Sequence, residues 1–299
     1  MSGFTVVVSL DRSPGRERAE YQDALCARLR DAGWPVLIVP DLYHLTDGES
    51  TRALRDLAGP VVLLSWYAPR AAYWICRSFG VEGRRVDSLR NAGPGPRPIV
   101  CLDLSAKCCP GKWIETLRDM GAAADGAAAC RQIAEATTPR WYPVVDYDRC
   151  TGCGECQEFC LFGVFDVDEE GTTVAASPGL CKPGCPACSR VCPATAIMFP
   201  LCEEDEVIAG AEEGTVAPFR AEDVARVRAA CASGELTQDD VVRACVCNDA
   251  GSLGVRSAAC GCSAGCDCDG DGERRRSGDR RARAPSDAID SMLDGIVGR

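Results

Sequence analysis

Histidine is almost missing from this chain: His44 is the one histidine among 299 residues. Sites that bind a metal through imidazole, and the chelatase-type chemistry that uses them, therefore have little to work with. A single loop histidine reads first as a surface hydrogen-bonder. Positive charge is also in deficit, with 33 Lys and Arg against 44 Asp and Glu, a net charge of −11 and a pI near 4.8. That balance argues against nucleic acid as a main partner. No apolar run approaches membrane-spanning length, and the first ten residues lack the basic start and long apolar stretch of a signal peptide. Phosphate signatures are missing too. No G-x-G-x-x-G follows the first apolar run, and Gly111-Lys112 is followed by Trp113, which has no hydroxyl for magnesium. A nucleotide or flavin is unsupported.

What the chain has in abundance is cysteine, 22 in all. That many thiols call for a reducing compartment, the cytoplasm, where they serve as metal ligands and not as bridges. Eight fall in two matching runs. The first is Cys150-Thr151-Gly152-Cys153-Gly154-Glu155-Cys156, with Cys160 four residues on. The second is Cys181-Lys182-Pro183-Gly184-Cys185-Pro186-Ala187-Cys188, with Cys192-Pro193 following. A Cys-x2-Cys-x2-Cys loop curls three thiolates around one iron–sulfur cube, and the fourth cysteine reaches a different cube. Zinc is the strongest competitor, since it also takes four thiolates from paired Cys-x2-Cys units, but its knuckles supply two cysteines each. Disulfides are a weaker rival at spacings this tight.

On these runs, residues 142–200 resemble a bacterial-type ferredoxin with two [4Fe–4S] clusters, as in uncharacterised ferredoxin-family proteins that carry an added N-terminal domain. The resemblance implies one cluster on Cys150, Cys153, Cys156 and Cys192, and another on Cys181, Cys185, Cys188 and Cys160. It also implies an opening strand over 144–147, a hairpin over 164–174 around Glu169-Glu170-Gly171, and a closing strand over 195–199. Two departures stand out. Leu161 follows Cys160 where proline is usual, and three residues separate Cys181 from Cys185 where two are usual.

Upstream, apolar β-branched runs alternate with helical spacing. Strands are expected at 4–10, 36–39, 61–64 and 98–104. Helices are expected at 16–30, 49–57, 70–79, 112–120 and 122–136. Residues 81–97, rich in Gly, Pro and Arg, are expected as a long exposed loop. Unbroken apolar strands between helices signal a parallel sheet covered on both faces. The reading is an α/β chain. A Rossmann- or flavodoxin-like three-layer domain of four or five strands over 1–138 precedes a small α+β dicluster ferredoxin domain over 139–200. A helical extension follows at 201–247, then a Cys-, Gly- and Arg-rich flexible linker at 248–285 and a short amphipathic helix at 286–299.

Ligands in such sheets sit beyond the carboxyl ends of the strands. The candidate ligand residues there are Asp11, Arg12, Asp41, His44, Trp66, Cys108 and Cys109. Cys26, Cys76, Cys101 and Cys130 fall on apolar faces and read as small core residues. Two helices are expected over 221–232 and 238–244, with Thr237 capping the second. Cys245 to Cys268 hold a Cys-x-Cys pattern that reads as part of a flexible tail. The stripe Ile289, Met292, Leu293, Ile296 and Val297 would dock on the chain's own body, a second copy or a partner.

The leading expectation is an electron carrier working with a redox partner protein, with no catalytic residue and no insertion into a membrane. Glu155, Glu158, Asp166 and Asp168 near the clusters should favour the oxidised state. A reductase or chelatase-like enzyme with a substrate at the N-terminal strand ends is the alternative, and a scaffold that recruits redox partners is another.

Overall fold

The computed structural model describes residues 4–106, 109–120, 129–214, 216, 221–237 and 239–241. In chain order the elements are β1 (Thr5–Ser9), α1 (Arg16–Asp31), β2 (Val36–Val39), α2 (Glu49–Arg55), β3 (Val61–Ser65) and α3 (Pro69–Ser78). Then come β4 (Arg84–Arg85), β5 (Pro98–Asp103), α4 (Pro110–Asp119), β6 (Cys130–Gln132) and β7 (Val144–Val145). They are followed by α5 (Glu155–Phe159), β8 (Asp166–Val167), β9 (Thr173–Val174), α6 (Ala187–Val191), β10 (Ile197–Met198), α7 (Glu206–Ala209) and α8 (Ala221–Ser233).

The described residues form two compact units. One is drawn from 1–140, 144–148 and 198–214, the other from 141–143, 149–197 and 215 to the end of the described residues. The first is built on a six-stranded sheet of order β4-β5-β3-β1-β2-β6. Every pairing in it is parallel, with Val6 opposite Val36 and Thr5 opposite Val61. The chain winds outward from β1 in both directions, so the order reverses between β1 and β3. In sheets of this kind that crevice is where ligands bind.

Alternation along the strands explains why the sheet needs helices on both faces. Val6, Val8, Val36, Ile38, Val62, Leu64 and Val100 pack into one core with Leu25, Cys26 and Leu29 of α1 and Trp113, Ile114 and Leu117 of α4. The intervening Val7, Leu37, Val39, Leu63 and Ile99 are just as buried, with Ala71, Ala72, Ile75 and Cys76 of α3. At ~1.5–3 kcal/mol for each fully buried large aliphatic side chain, these two layers are the main source of this unit's stability.

The sheet exceeds expectation at both edges. Residues 130–132 are a strand and not the end of a helix, paired in parallel with Val36–Ile38. Alanine-rich helical propensity is worth only a few tenths of a kcal/mol per residue, and the open edge of β2 offers a ladder of unpaired backbone groups instead. The strand is exposed along its length, so Cys130 is a surface thiol and not a core residue. Cys26, Cys76 and Cys101 are buried as expected. Within the expected loop 81–97, Arg84–Arg85 pairs with β5 and Val81 is buried. Gly83 makes this possible: at φ 150 the backbone lies so close to the next segment that a Cβ there would sit 2.6 Å from the Arg97 carbonyl oxygen. The remaining 121–128 of the expected helix lie outside the described residues.

One buried side chain touches both segments, 144–148 and 198–214, that join the first unit. Arg70, in the first turn of α3, is 1% exposed. Its Nε lies 3.1 Å from Asp146 Oδ2 and 3.1 Å from Met198 Sδ, and its Nη1 donates to the Ala211 carbonyl at 3.0 Å. Arg85 pairs with Glu212 at the rim of the same segment. Removing one partner of a buried pair strands the other without solvent. Arg70→Met should therefore cost about 3–5 kcal/mol in urea unfolding. A loss below about 1 kcal/mol would show that the pair does not hold these segments.

Candidate metal centre

The second unit presents the two cysteine runs as a near-repeat. Each run is a loop, a short helix, and a last cysteine that ends the helix: α5 closes at Cys160 and α6 at Cys192. Glycine makes the first loop tight. Gly152 and Gly154 sit at φ 68 and 77, left-handed backbone that a side chain disfavours, and Gly154 is the residue from which α5 starts. Gly184, at φ 79, turns the wider second loop. Beyond α6, Thr195 holds a left-handed φ of 51, and the Ala196 amide donates to Cys192 Sγ at 3.3 Å. A strained non-glycine residue next to a sulfur-directed amide marks a backbone shaped around that sulfur.

The eight thiols gather as two fours, each mixing the two runs. Cys156 is pushed up to about 12 by burial and then by the neighbouring thiols Cys192, Cys150 and Cys153. Burial raises Cys181, reinforced by Cys185 and Cys160. Cys188 rises well above the usual thiol range through burial, then through Cys181, Cys185, Cys160 and, last, Cys156. Burial also lifts Cys185 to about 11, opposed by the Ala187 amide hydrogen-bonded to its sulfur. Thiols crowded out of water in this way resist ionising until a cation compensates them.

The second four line an apolar hollow. Cys160, Cys181, Cys185 and Cys188 share its walls with Pro143, Phe159, Leu161, Phe162, Val164, Phe165, Ala187 and Val241, around about 380 Å³ of atom-free space counting the open mouth. Trp141 Nε1 donates to the Cys185 carbonyl at 3.1 Å beside it. A mononuclear zinc needs its four donors about 2.3 Å from one point. Among the described residues no three Cys, His, Asp or Glu side chains converge closely enough to hold one ion. The thiols surround a volume, and a purely sulfur donor set around an apolar hollow fits an iron–sulfur cube. The two fours differ in part in exposure. Cys153 is exposed and Cys150, Cys156 and Cys192 are half-buried; in the second four Cys160 and Cys181 are half-buried and Cys185 and Cys188 are buried.

The strand-end residues of the first unit are brought together, but largely to serve one another. Asp41 Oδ1 accepts from the Tyr67 hydroxyl at 2.6 Å and the Tyr43 amide at 3.1 Å, and its Oδ2 accepts from the Arg12 amide at 3.2 Å. Asp11 pairs with Arg18, whose guanidinium stacks 4.3 Å above the Trp66 ring. Gln22, which sequence reasoning passed over, ties the Asp11 amide to Trp66 Nε1. His44 is buried, and its Nδ1 accepts from the Arg140 amide at 3.0 Å. Cys109 is exposed at the start of α4, and Cys108 lies outside the described residues, as do 242–299 with their cysteines and the expected last helix.

Comparison with known proteins bears on the cysteine runs. The family described as 4Fe-4S binding domain matches residues 142–165. An uncharacterized ferredoxin of Methanocaldococcus jannaschii is 46% identical over 61 residues, 20% of this chain and 41% of that protein. Ferredoxin-3 of Nostoc sp. is 36% identical over 73 residues, 19% of this chain and 74% of that protein. No solved structure matches. Fold and site thus define an iron–sulfur protein with a [4Fe–4S] binding domain. The chain belongs to the ferredoxins, although it spans only about two fifths of the Methanocaldococcus relative. Among the described residues no helix is long and apolar enough to cross a membrane.

Burial and the cations of Arg12 and Arg140 hold His44 below the usual imidazole range, against the pull of Asp41. The unfolded chain therefore binds a proton that the folded chain refuses. Stability is full above the ordinary histidine value, about 6.5, and falls as pH drops below it. The melting temperature of the wild type should fall between about pH 7 and 5 more steeply than that of His44→Asn, whose amide oxygen can still accept from Arg140. Parallel curves would contradict this.

Proposed function

We propose that this chain is a dicluster electron carrier. Cys150, Cys153, Cys156 and Cys192 hold one [4Fe–4S] cluster, and Cys160, Cys181, Cys185 and Cys188 hold a second. The grouping of the thiols carries this reading: Cys192 stands with the first run and Cys160 with the second. A single-cluster domain has no use for that exchange. When bound, the clusters supply one-electron chemistry at low potential. The protein's part is to ligate and desolvate. The apolar walls of Phe159, Leu161, Phe162 and Phe165 exclude water, the amides of Ala187 and Ala196 face sulfur, and the exposed Glu155, Glu158 and Asp166 oppose added negative charge.

The carrier works in a reducing compartment and exchanges electrons with a redox protein whose basic surface complements this chain's net charge of −11. The strand-end polar groups of the first unit are engaged with one another, which favours this reading over a substrate site there.

Cysteine-to-serine variants, read by electron paramagnetic resonance after anaerobic reduction, test the crossed assignment. Cys153→Ser and Cys192→Ser should abolish the same signal, although 39 residues separate them. Cys160→Ser should abolish the signal that Cys188→Ser abolishes. Loss of the Cys188-dependent signal in Cys192→Ser, with the Cys153-dependent signal intact, would contradict the crossing.

A further inference from the structure

The longer Cys181–Cys185 loop and the helical extension that follows the ferredoxin segment meet at one place. Val227 of α8 and Val241 are buried, 2% exposed each, in a core with Phe159, Cys185, Ala187 and Val191, and Leu161, Phe162 and Cys231 pack against it. Val241 is also a wall of the hollow that the four thiols line. Local signals put it there. Helix α8 stops at Gly234, left-handed at φ 79, with the Glu235 amide returning to the Ala230 carbonyl at 2.9 Å. Three residues later Thr237 and Asp240 form a reciprocal cap. The Asp240 amide donates to Thr237 Oγ1 at 3.2 Å, and the Thr237 amide donates to Asp240 Oδ2 at 3.0 Å. That cap delivers Val241 one residue further on. Outside, Lys182, within the lengthened loop, pairs with Asp239 at 3.1 Å.

We propose that residues 221–237 and 239–241 are a cover over the second cluster, plugged by Val241 and Val227 and latched by Lys182–Asp239, so that exchange with the outside takes place at the first. This rests on the dicluster reading above. A protein that gives or takes a single electron meets the chain at the exposed Cys153 edge. The first site, held by Cys150, Cys153, Cys156 and Cys192, would exchange the electron with that partner's own redox centre, and the covered site, held by Cys160, Cys181, Cys185 and Cys188, would exchange it only within the chain. Oxidants and iron chelators reach the two sites in the same order.

The test is iron release from the anaerobically prepared full chain to a ferrous-iron chelator in excess. The wild type, carrying about eight irons, should release them in two phases of equal size, fast and slow. Val241→Asp should speed the slow phase about tenfold and leave the fast phase unchanged, because a carboxylate in an apolar plug favours the open cover. Should that variant fail to assemble, the surface pair decides. Lys182→Glu should speed the slow phase about twofold, and Lys182→Glu with Asp239→Lys should restore it. Eight irons released in one phase, or a slow phase indifferent to both Val241→Asp and Lys182→Glu, overturns the cover alone. Substantially fewer than eight irons in the fully assembled wild type overturns the dicluster reading and the cover with it.

Discussion

The decisive constraint in the second unit is that thiols far apart in sequence must share one neighbourhood. Cys156 lies among Cys150, Cys153 and Cys192, and Cys188 among Cys181, Cys185 and Cys160. On the dicluster reading neither run supplies a complete four by itself. Closing each four therefore closes the segment between them, including the small ladder of Asp166–Val167 with Thr173–Val174. Two-residue strands carry little stability, and a unit of this size buries little apolar surface. Metal–sulfur bonds would do most of the work of holding it, so that cluster binding and folding of this segment are one equilibrium.

The first unit is held by different physics. Its stability comes from two apolar layers on a parallel sheet, and a deeply buried ion pair, Arg70 with Asp146, helps fasten segments from either side of the cysteine region onto α3. The arginine is satisfied on several sides at once, by a carboxylate, a thioether and a carbonyl, which is what makes its burial tolerable. The cysteine region is thereby bracketed on both sides by residues that belong to a conventional hydrophobic domain.

Much of this was legible from residues alone. The strand Val36–Val39 lies where an unbroken β-branched run put it, and the helix at Arg16–Asp31 differs by one residue from its periodic pattern. Thr237 caps as its side chain suggests. What was hidden depended on partners distant in sequence. Cys130 looked like one position in an alanine-rich helix, because nothing local reports that the edge of β2 is open to it. Arg84–Arg85 carries no strand signal of its own and pairs because Gly83 lets the chain approach Ile99. Asp41 and His44 were recognisable as chemistry-bearing residues at strand ends. Only the fold shows that Tyr67, Arg12 and Arg140 already occupy them. The cysteine runs were the most legible feature, because metal ligation imposes a spacing that packing does not.

The central claim is that two four-iron centres stand close together in one short segment. Electron paramagnetic resonance of the fully reduced, anaerobically prepared chain tests it most directly. The integrated signal should approach about two spins per chain, broadened by interaction between neighbouring centres. A single unbroadened spin per chain, or a silent protein whose metal analysis shows zinc, would contradict it.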